Sequence, residues 1–271
     1  MKPLVLKYKI KNNIRLDMSW LSNINTSNLS LIKDKNILLG NKRYKVSELF
    51  TVSGEDSNNI KLLNTNNNLD NIGSCLENKK LTIEGNIGRG LARNMVNGTI
   101  ILNGNADDVA CSGMKGGSVF IYGSVGNRFC SLPTGINEGF SDGFVYVQKN
   151  VGSDSIIRMR RGNIVIGGSI GVNSCHELIA GTVTVLGKIG KAFCRNPKRG
   201  TLIIKDRSIC KNFIKSNSTD LTFFNFYQMK INNIIDNKII KKRTQINSYM
   251  ISFRFINIWN SIGFNIFLTI K

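Results

Sequence analysis

One stretch decides the fold: Gly98-Thr99-Ile100-Ile101-Leu102-Asn103-Gly104, an apolar strand between two glycines. The glycine that opens this stretch returns along the chain at Gly98, Gly117, Gly143, Gly162, Gly181 and Gly200. Each interval is 19 residues, except that the one from Gly117 to Gly143 is 26 because it holds a seven-residue insertion around 133–140. A fixed period of this length is the signature of a protein built from stacked repeats.

Every copy of the strand alternates between aliphatic and variable residues. The second and fourth positions are aliphatic in seven copies, the earliest of which starts at Lys79: Leu81, Ile83, Ile100, Leu102, Val119, Ile121, Val145, Val147, Ile164, Ile166, Val183, Val185, Leu202 and Ile204. Alternation with a period of two predicts a β-strand with one buried face. The residues between them, among which are Phe120 and Tyr146, are predicted to face outward, and together with Tyr122 these aromatic residues are candidates for a partner surface.

A unit of 19 residues cannot bury its own apolar face, so consecutive units must stack on one another. The sequence therefore predicts an all-β fold, a right-handed, single-stranded parallel β-helix with 19-residue coils.

Two columns of glycine mark the turns. At the first we expect positive φ angles; it comprises Gly85, Gly104, Gly123, Gly168 and Gly187. The second follows three residues later, at Gly88, Gly126, Gly152, Gly171 and Gly190.

The chain divides into three parts on this pattern. Residues 1–70 are polar and irregular and are predicted to form an N-terminal cap, with short strands at 4–10 and 37–39. Residues 71–204 form the β-helix. Residues 205–271 form a partly helical C-terminal extension, in which a helix that starts near Thr219 is expected to cover the exposed strand edge of the last coil.

The composition shows a strong excess of positive charge. There are 37 Lys and Arg residues against 17 Asp and Glu residues, which gives a net charge of +20. Such an excess favours an anionic partner such as nucleic acid. The cations are scattered, however, in a chain that is rich in Lys, Asn and Ile throughout, so we expect no nucleic-acid partner. The N-terminus lacks a long apolar stretch and residues 250–270 are too polar to span a membrane, so a cytoplasmic protein without membrane contact is predicted.

Catalytic and metal-binding motifs are weak in this sequence. Cys111, Cys130, Cys175 and Cys194 share one position of the repeat, so they are interpreted as an internal packing column and not as a metal site. The single histidine, His176, does not lie in the six-residue repeat of β-helix acyltransferases. No repeated acidic pair is present, and the Gly-x-x-Gly turns are not followed by a helix, so neither polysaccharide cleavage nor dinucleotide binding is expected.

One group of cations is more regular than the rest. Equivalent positions of the repeat stack, so Arg160 and Arg161 should share a face with Lys198 and Arg199. This candidate binding group is predicted to contact an anionic carrier tail or a partner subunit, and comprises Arg158, Arg160, Arg161, Arg195, Lys198 and Arg199.

The chain resembles the β-helical, C-type subunit of formylmethanofuran dehydrogenase, and most closely its bacterial counterpart in the formyltransferase/hydrolase complex of methylotrophs. The resemblance rests on the coils 99–104 and 182–187, on the segments 158–162 and 178–181, and on the Leu132-Pro133 insertion. In the N-terminal part it extends over 15–19, 40–43 and 48–54. It covers nearly the whole chain and is weakest over 205–271.

The resemblance implies a non-catalytic scaffold that bridges the amidohydrolase-like and formyltransferase subunits of a complex in tetrahydromethanopterin-linked one-carbon metabolism. That complex uses a methanofuran-type carrier, and the resemblance implies no cofactor bound by this chain. Two alternatives remain. One is a spacer domain like the β-helix of glutamate synthase, and the other is a basic nucleic-acid-binding protein.

Overall fold

The computed structural model describes residues 1–10, 13–206, 226, 227, 229, 231, 249–255 and 264–270. In chain order its strands are β1 (Pro3–Tyr8), β2 (Leu16–Asp17), β3 (Asn36–Leu39), β4 (Lys42–Lys45), β5 (Phe50–Ser53), β6 (Asp56–Thr65), β7 (Leu69–Asp70), β8 (Lys80–Gly85), β9 (Thr99–Asn103), β10 (Ser118–Ile121), β11 (Phe144–Val147), β12 (Asn163–Ile166), β13 (Thr182–Val185), β14 (Thr201–Ile204), β15 (Tyr249–Phe255) and β16 (Phe264–Ile270). Its helices are α1 (Leu29–Asp34), α2 (Val46–Leu49) and a 3-10 helix over Ser19–Asn23.

The centre of the molecule is the predicted parallel β-helix, with about eight turns. Strands β6 and β8 to β14 pair in parallel, one strand from each coil. The pairing aligns residues 19 apart, such as Leu81 with Ile100, and residues 26 apart across the insertion, such as Val119 with Val145. The fourteen aliphatic residues predicted to face inward are all fully buried. The alternation in the sequence therefore predicts correctly which residues of each strand face the interior.

The N-terminal part is joined to the β-helix through its strands. Strand β1 pairs in parallel with β6 and antiparallel with β5, so the main sheet continues into residues 1–70. A second sheet of four strands has the order β4-β3-β2-β7. The strands predicted at 4–10 and 37–39 correspond to β1 and β3.

A buried lysine fastens this part to the first coils. The Lys79 side chain has an exposed fraction of only 6%, and its Nζ donates hydrogen bonds to the carbonyl oxygens of Ser22 and Ile24 and to Oδ1 of Asn25. Burial lowers the pKa of this ammonium group. Because the three oxygens replace its water shell, the charge is tolerated without a carboxylate partner.

The C-terminal part differs from the expectation. The edge of the last coil is paired by strand β16, which lies parallel to β14 and antiparallel to β15. Of the described helical residues, Phe226 and Met229 are exposed. Tyr227 and Ile231 instead pack on the outer face of the sheet. The predicted helix start at Thr219 lies outside the described residues.

Glycine is required at most of the turn positions for a different reason from the one predicted. Of the first column, only Gly85 has a positive φ, and Gly104 does not. A Cβ atom at Gly104 would lie 2.2 Å from the carbonyl oxygen of Gly85 in the coil before, so glycine is required there by close backbone approach. Positive φ angles occur instead at the glycine before each repeat strand, for example 102° at Gly98. The prediction of left-handed backbone at the first column is confirmed at Gly85 and was wrong at the other four glycines.

Left-handed residues line another side of every coil. Around Ile156, whose φ is 58°, the residues two positions away, Asp154 and Arg158, are also left-handed. Their N–H groups donate alternately to the following and the preceding coil, to the carbonyl oxygens of Val172, Phe129 and His176 at 3.0, 2.7 and 3.0 Å. A left-handed residue other than glycine costs roughly 1–2 kcal/mol, which these inter-coil hydrogen bonds offset.

Candidate functional site

The register of the coils places the predicted basic group in stacked columns. Arg160 and Lys198 occupy equivalent positions two coils apart, and Arg161 and Arg199 occupy the next position along the chain. With neighbouring strands about 4.8 Å apart, the Cα atoms of each pair are separated by roughly 10 Å. Between them lies the coil that carries Ile179 and Ala180, both half-buried. All four cations are exposed.

Three of the six cations are engaged within the chain. Arg158 Nε lies 3.4 Å from Oε2 of Glu177, one coil away. Arg160 Nη1 lies 2.5 Å from Oε1 of Glu138, which belongs to the insertion. The third, Arg195, donates from Nη2 to Oδ1 of Asn173 at 2.6 Å. These side chains are therefore positioned by their own molecule.

The other three cations differ from these in their contacts with the described residues. Within the described part of the chain, no ion pair or side-chain hydrogen bond involves Arg161, Lys198 or Arg199. The structure thus separates the predicted group into three internally paired residues and three that present their charge to solvent.

The insertion projects beside this group. Pro133, Gly139 and Phe140 are buried, whereas residues 134–138 are exposed, and Ile136 at the tip is 50% exposed. The Arg160–Glu138 ion pair fixes the base of this loop to the coil that carries Arg160 and Arg161. The sequence predicts the insertion from the longer interval between two repeats. It does not predict the contact with the cations, because Glu138 and Arg160 are brought together only in the folded chain.

The cysteine column is internal. Cys111, Cys130 and Cys175 are fully buried and Cys194 nearly so. Burial raises the pKa of the Cys130 and Cys175 thiols, and raises that of Cys194 to about 12. Thiols held in the neutral form are poor nucleophiles and poor metal ligands. Among the described residues, no three His, Cys, Asp or Glu side chains converge as ligands for a metal.

His176 belongs to a polar cluster on the left-handed side of the coils. Its Nε2 contacts Oδ1 of Asn173, and Nη2 of Arg195 lies 3.4 Å away. Partial burial and the positive charge of Arg195 lower the pKa of the imidazole, so it is neutral at neutral pH. Asn173 in turn donates to Oδ1 of Asp154. The imidazole is thus held in a network that crosses three coils.

The outward aromatic residues are partly covered by the chain itself. Phe120 is fully buried and packs with Phe144, Tyr227 and Ile231, while Tyr122 and Tyr146 are half-buried. The hydroxyl of Tyr227 lies 3.1 Å from Oγ1 of Thr184. A partner surface at Phe120 was therefore the wrong interpretation, because residues from the C-terminal part already occupy it.

A family model described as the GXGXG motif matches residues 46–262. The chain belongs to the GXGXG motif family. A comparison with curated proteins found no match. Among solved structures, the chain is similar to one from the formyltransferase/hydrolase complex of Methylorubrum extorquens, determined by X-ray crystallography in complex with methylofuran. The similarity covers 98% of this chain and 100% of that chain, with a TM-score of 0.81 and 21% sequence identity.

This likeness concerns the fold, and at that level it confirms the resemblance predicted from the sequence. The matched chain is part of a complex of several different subunits. The match extends over nearly the full length of both chains and is not confined to the coils. None of the helices among the described residues is long and apolar enough to cross a membrane.

Proposed function

We propose that this chain is a structural subunit of a formyltransferase/hydrolase complex, in which it bridges the hydrolase and transferase subunits and performs no catalytic step. The observation that carries the proposal is the likeness of the fold over the full length of both chains, at a TM-score of 0.81. A domain that had only borrowed the β-helix would share the coils but not the N-terminal cap.

The chemistry of the chain supports this role. The side chains that the sequence offered as chemical candidates are engaged in packing or in networks: Cys111, Cys130, Cys175 and Cys194 are buried inside the coils, and His176 is held by Asn173 and Arg195. A β-helix is suited to such a role because its stacked coils form a long, rigid body. Rigidity holds two other subunits at a fixed distance.

The proposal also specifies the chemistry of the whole complex. A formyl group is carried on a methanofuran-type carrier and exchanged with tetrahydromethanopterin, in one-carbon metabolism in the cytoplasm. The other subunits bind these cofactors. This chain contributes surface rather than a cofactor site.

The test is recovery of the partners from the native host. The tagged full-length chain is purified under mild conditions, and the proteins that accompany it are identified by mass spectrometry. We expect an amidohydrolase-like subunit and a formyltransferase subunit in constant proportion. A chain recovered alone would contradict the proposal.

Binding of nucleic acid is a second candidate, which the net charge of +20 favours. It predicts that nucleic acid accompanies the purified chain and that affinity falls steeply with salt. Nuclease treatment during the same purification separates the two functions. Recovery of both subunits after nuclease treatment supports the scaffold, whereas loss of every companion supports nucleic-acid binding.

A further inference from the structure

We propose that the insertion and the exposed cations beside it form the docking surface for an acidic segment of a partner subunit. The surface consists of the loop 134–138 together with Arg161, Lys198 and Arg199, and is called here the loop–cation surface. The inference rests on the proposed function, because it names one contact through which this chain holds its complex together.

The charge balance of these coils carries the argument. Each carboxylate in this part of the chain already has a partner: Glu138 pairs with Arg160, Glu177 pairs with Arg158, Asp142 accepts from the Gly143 N–H, and Asp154 accepts from Asn173. Arg161, Lys198 and Arg199 are exposed and have no ion-pair partner among the described residues. Asp142 holds the position one coil before Arg161 and is the carboxylate of these four without a cationic or side-chain partner among the described residues. Three exposed cations against one such carboxylate leave the surface with a net positive charge.

The spacing fits an extended acidic chain. Arg161 and Arg199 hold equivalent positions two coils apart, so their Cα atoms are roughly 10 Å apart. Two acidic residues three positions apart in an extended segment span about the same distance, since each residue adds about 3.3 Å. The half-buried Ile179 and Ala180 lie between the cations and offer an apolar floor for the residues between the two carboxylates.

The loop adds an apolar anchor at the edge of this surface. Ile136 is 50% exposed at a tip whose two ends are fixed, by burial of Pro133 on one side and by the Glu138–Arg160 ion pair on the other. Fixed ends reduce the entropy lost when the tip is ordered at an interface. An exposed aliphatic residue beside exposed cations is suited to a protein segment that combines acidic and apolar side chains, more than to a phosphate backbone.

Charge reversal tests the surface in the intact assembly. The Arg161→Glu/Arg199→Glu chain is expressed in the native host in place of the original, and retention of the hydrolase and transferase subunits is quantified at increasing salt. The control is Lys149→Glu/Lys188→Glu, which reverses two exposed lysines beyond the other end of the strands. We expect the test variant to lose at least one subunit by about tenfold or more, and the control to retain both. Thermal unfolding of both variants checks that the fold is unchanged.

A second pair of variants addresses the loop. Ile136→Ser should weaken retention of the same subunit, whereas Val172→Ser, which changes an equally exposed aliphatic residue at another corner, should not. If both test variants retain the subunits as the original chain does, the loop–cation surface is overturned and the proposed function stands. If the original chain itself retains neither subunit, the proposed function fails first. If retention depends on nucleic acid, an acidic protein segment is the wrong partner.

Discussion

The two faces of the repeat strands obey different rules. On the inner face, every one of the fourteen aliphatic residues is fully buried, from Leu81 to Ile204. On the outer face, Thr82 and Ile101 are half-buried, whereas Phe120, Thr184 and Ile203 are buried. The inner face is closed by the coil itself, whereas among the described residues Tyr227 and Ile231 pack against part of the outer face.

The difference teaches which part of such a protein is set by its repeat. Burial of the inner face follows from the alternation of residues within a strand and from the stacking of neighbouring coils. The sequence of each coil is therefore enough to determine which of its residues are buried inside. Burial of the outer face depends on a segment more than twenty residues beyond the last coil strand. The same strand therefore has one face whose environment is local and one whose environment is decided at long range.

The difference between the two faces is tested most strongly by placing a carboxylate on each face of one strand in separate variants. Ile100→Asp places an unpaired charge inside the helix, and we expect a loss of more than about 4 kcal/mol in the free energy of unfolding. Ile101→Asp changes the neighbouring half-buried residue and should lose about 1 kcal/mol. Urea unfolding followed by circular dichroism measures both. Equal losses would mean that the two faces are equivalent.

Truncation on the covered part of the outer face should have the next largest effect. Phe120→Ala removes a fully buried ring that packs with Phe144, and we expect a loss of about 3 kcal/mol. Phe226→Ala removes a ring that is 68% exposed and should leave stability within about 0.5 kcal/mol. A negligible effect of Phe120→Ala in the full chain would show that Tyr227 and Ile231 do not cover this face.

Alkaline pH gives a smaller effect that reports on both faces at once. Burial raises the pKa of Cys194 on the inner side, and that of Tyr227 on the outer side, each to about 12. Both groups keep their proton longer when folded, so their contribution is complete below about pH 9 for Cys194 and below about pH 10 for Tyr227. Each contribution is lost as pH rises to about 12, by up to about 1.4 kcal/mol per pH unit.

Single variants separate the two contributions. Cys194→Ala should reduce the loss of stability from about pH 9 upward, and Tyr227→Phe should reduce it only from about pH 10 upward. Unfolding midpoints in urea at intervals of half a pH unit provide the measurement. A Tyr227→Phe profile identical to that of the original chain would indicate that the tyrosine is not buried against Thr184.

The sequence was sufficient for the features that repeat. The 19-residue period, the inner aliphatic row and the cysteine column are each visible because the same residue type returns at the same position. The stacking of Arg161 over Arg199 follows from that period alone. The reason for the glycine at Gly104 was not visible, because a close approach to Gly85 and a left-handed backbone both select glycine.

Features that occur once were missed, and for a physical reason. Lys79 looks like an ordinary surface lysine, and only the folded N-terminal part surrounds its ammonium group with carbonyl oxygens. The Glu138–Arg160 ion pair joins an insertion to the following coil, and it cannot be predicted from the 19-residue period because it does not recur in the other repeats. The pairing of β16 with β14 brings together segments about sixty residues apart.

The central claim is that this chain bridges two other subunits, and its removal tests that claim most directly. The hydrolase subunit is tagged in the native host, with this chain present or deleted, and the purified material is analysed by native mass spectrometry. The account predicts that the transferase subunit remains with the tagged hydrolase only when this chain is present. Hydrolase and transferase subunits that stay together in its absence would contradict the account.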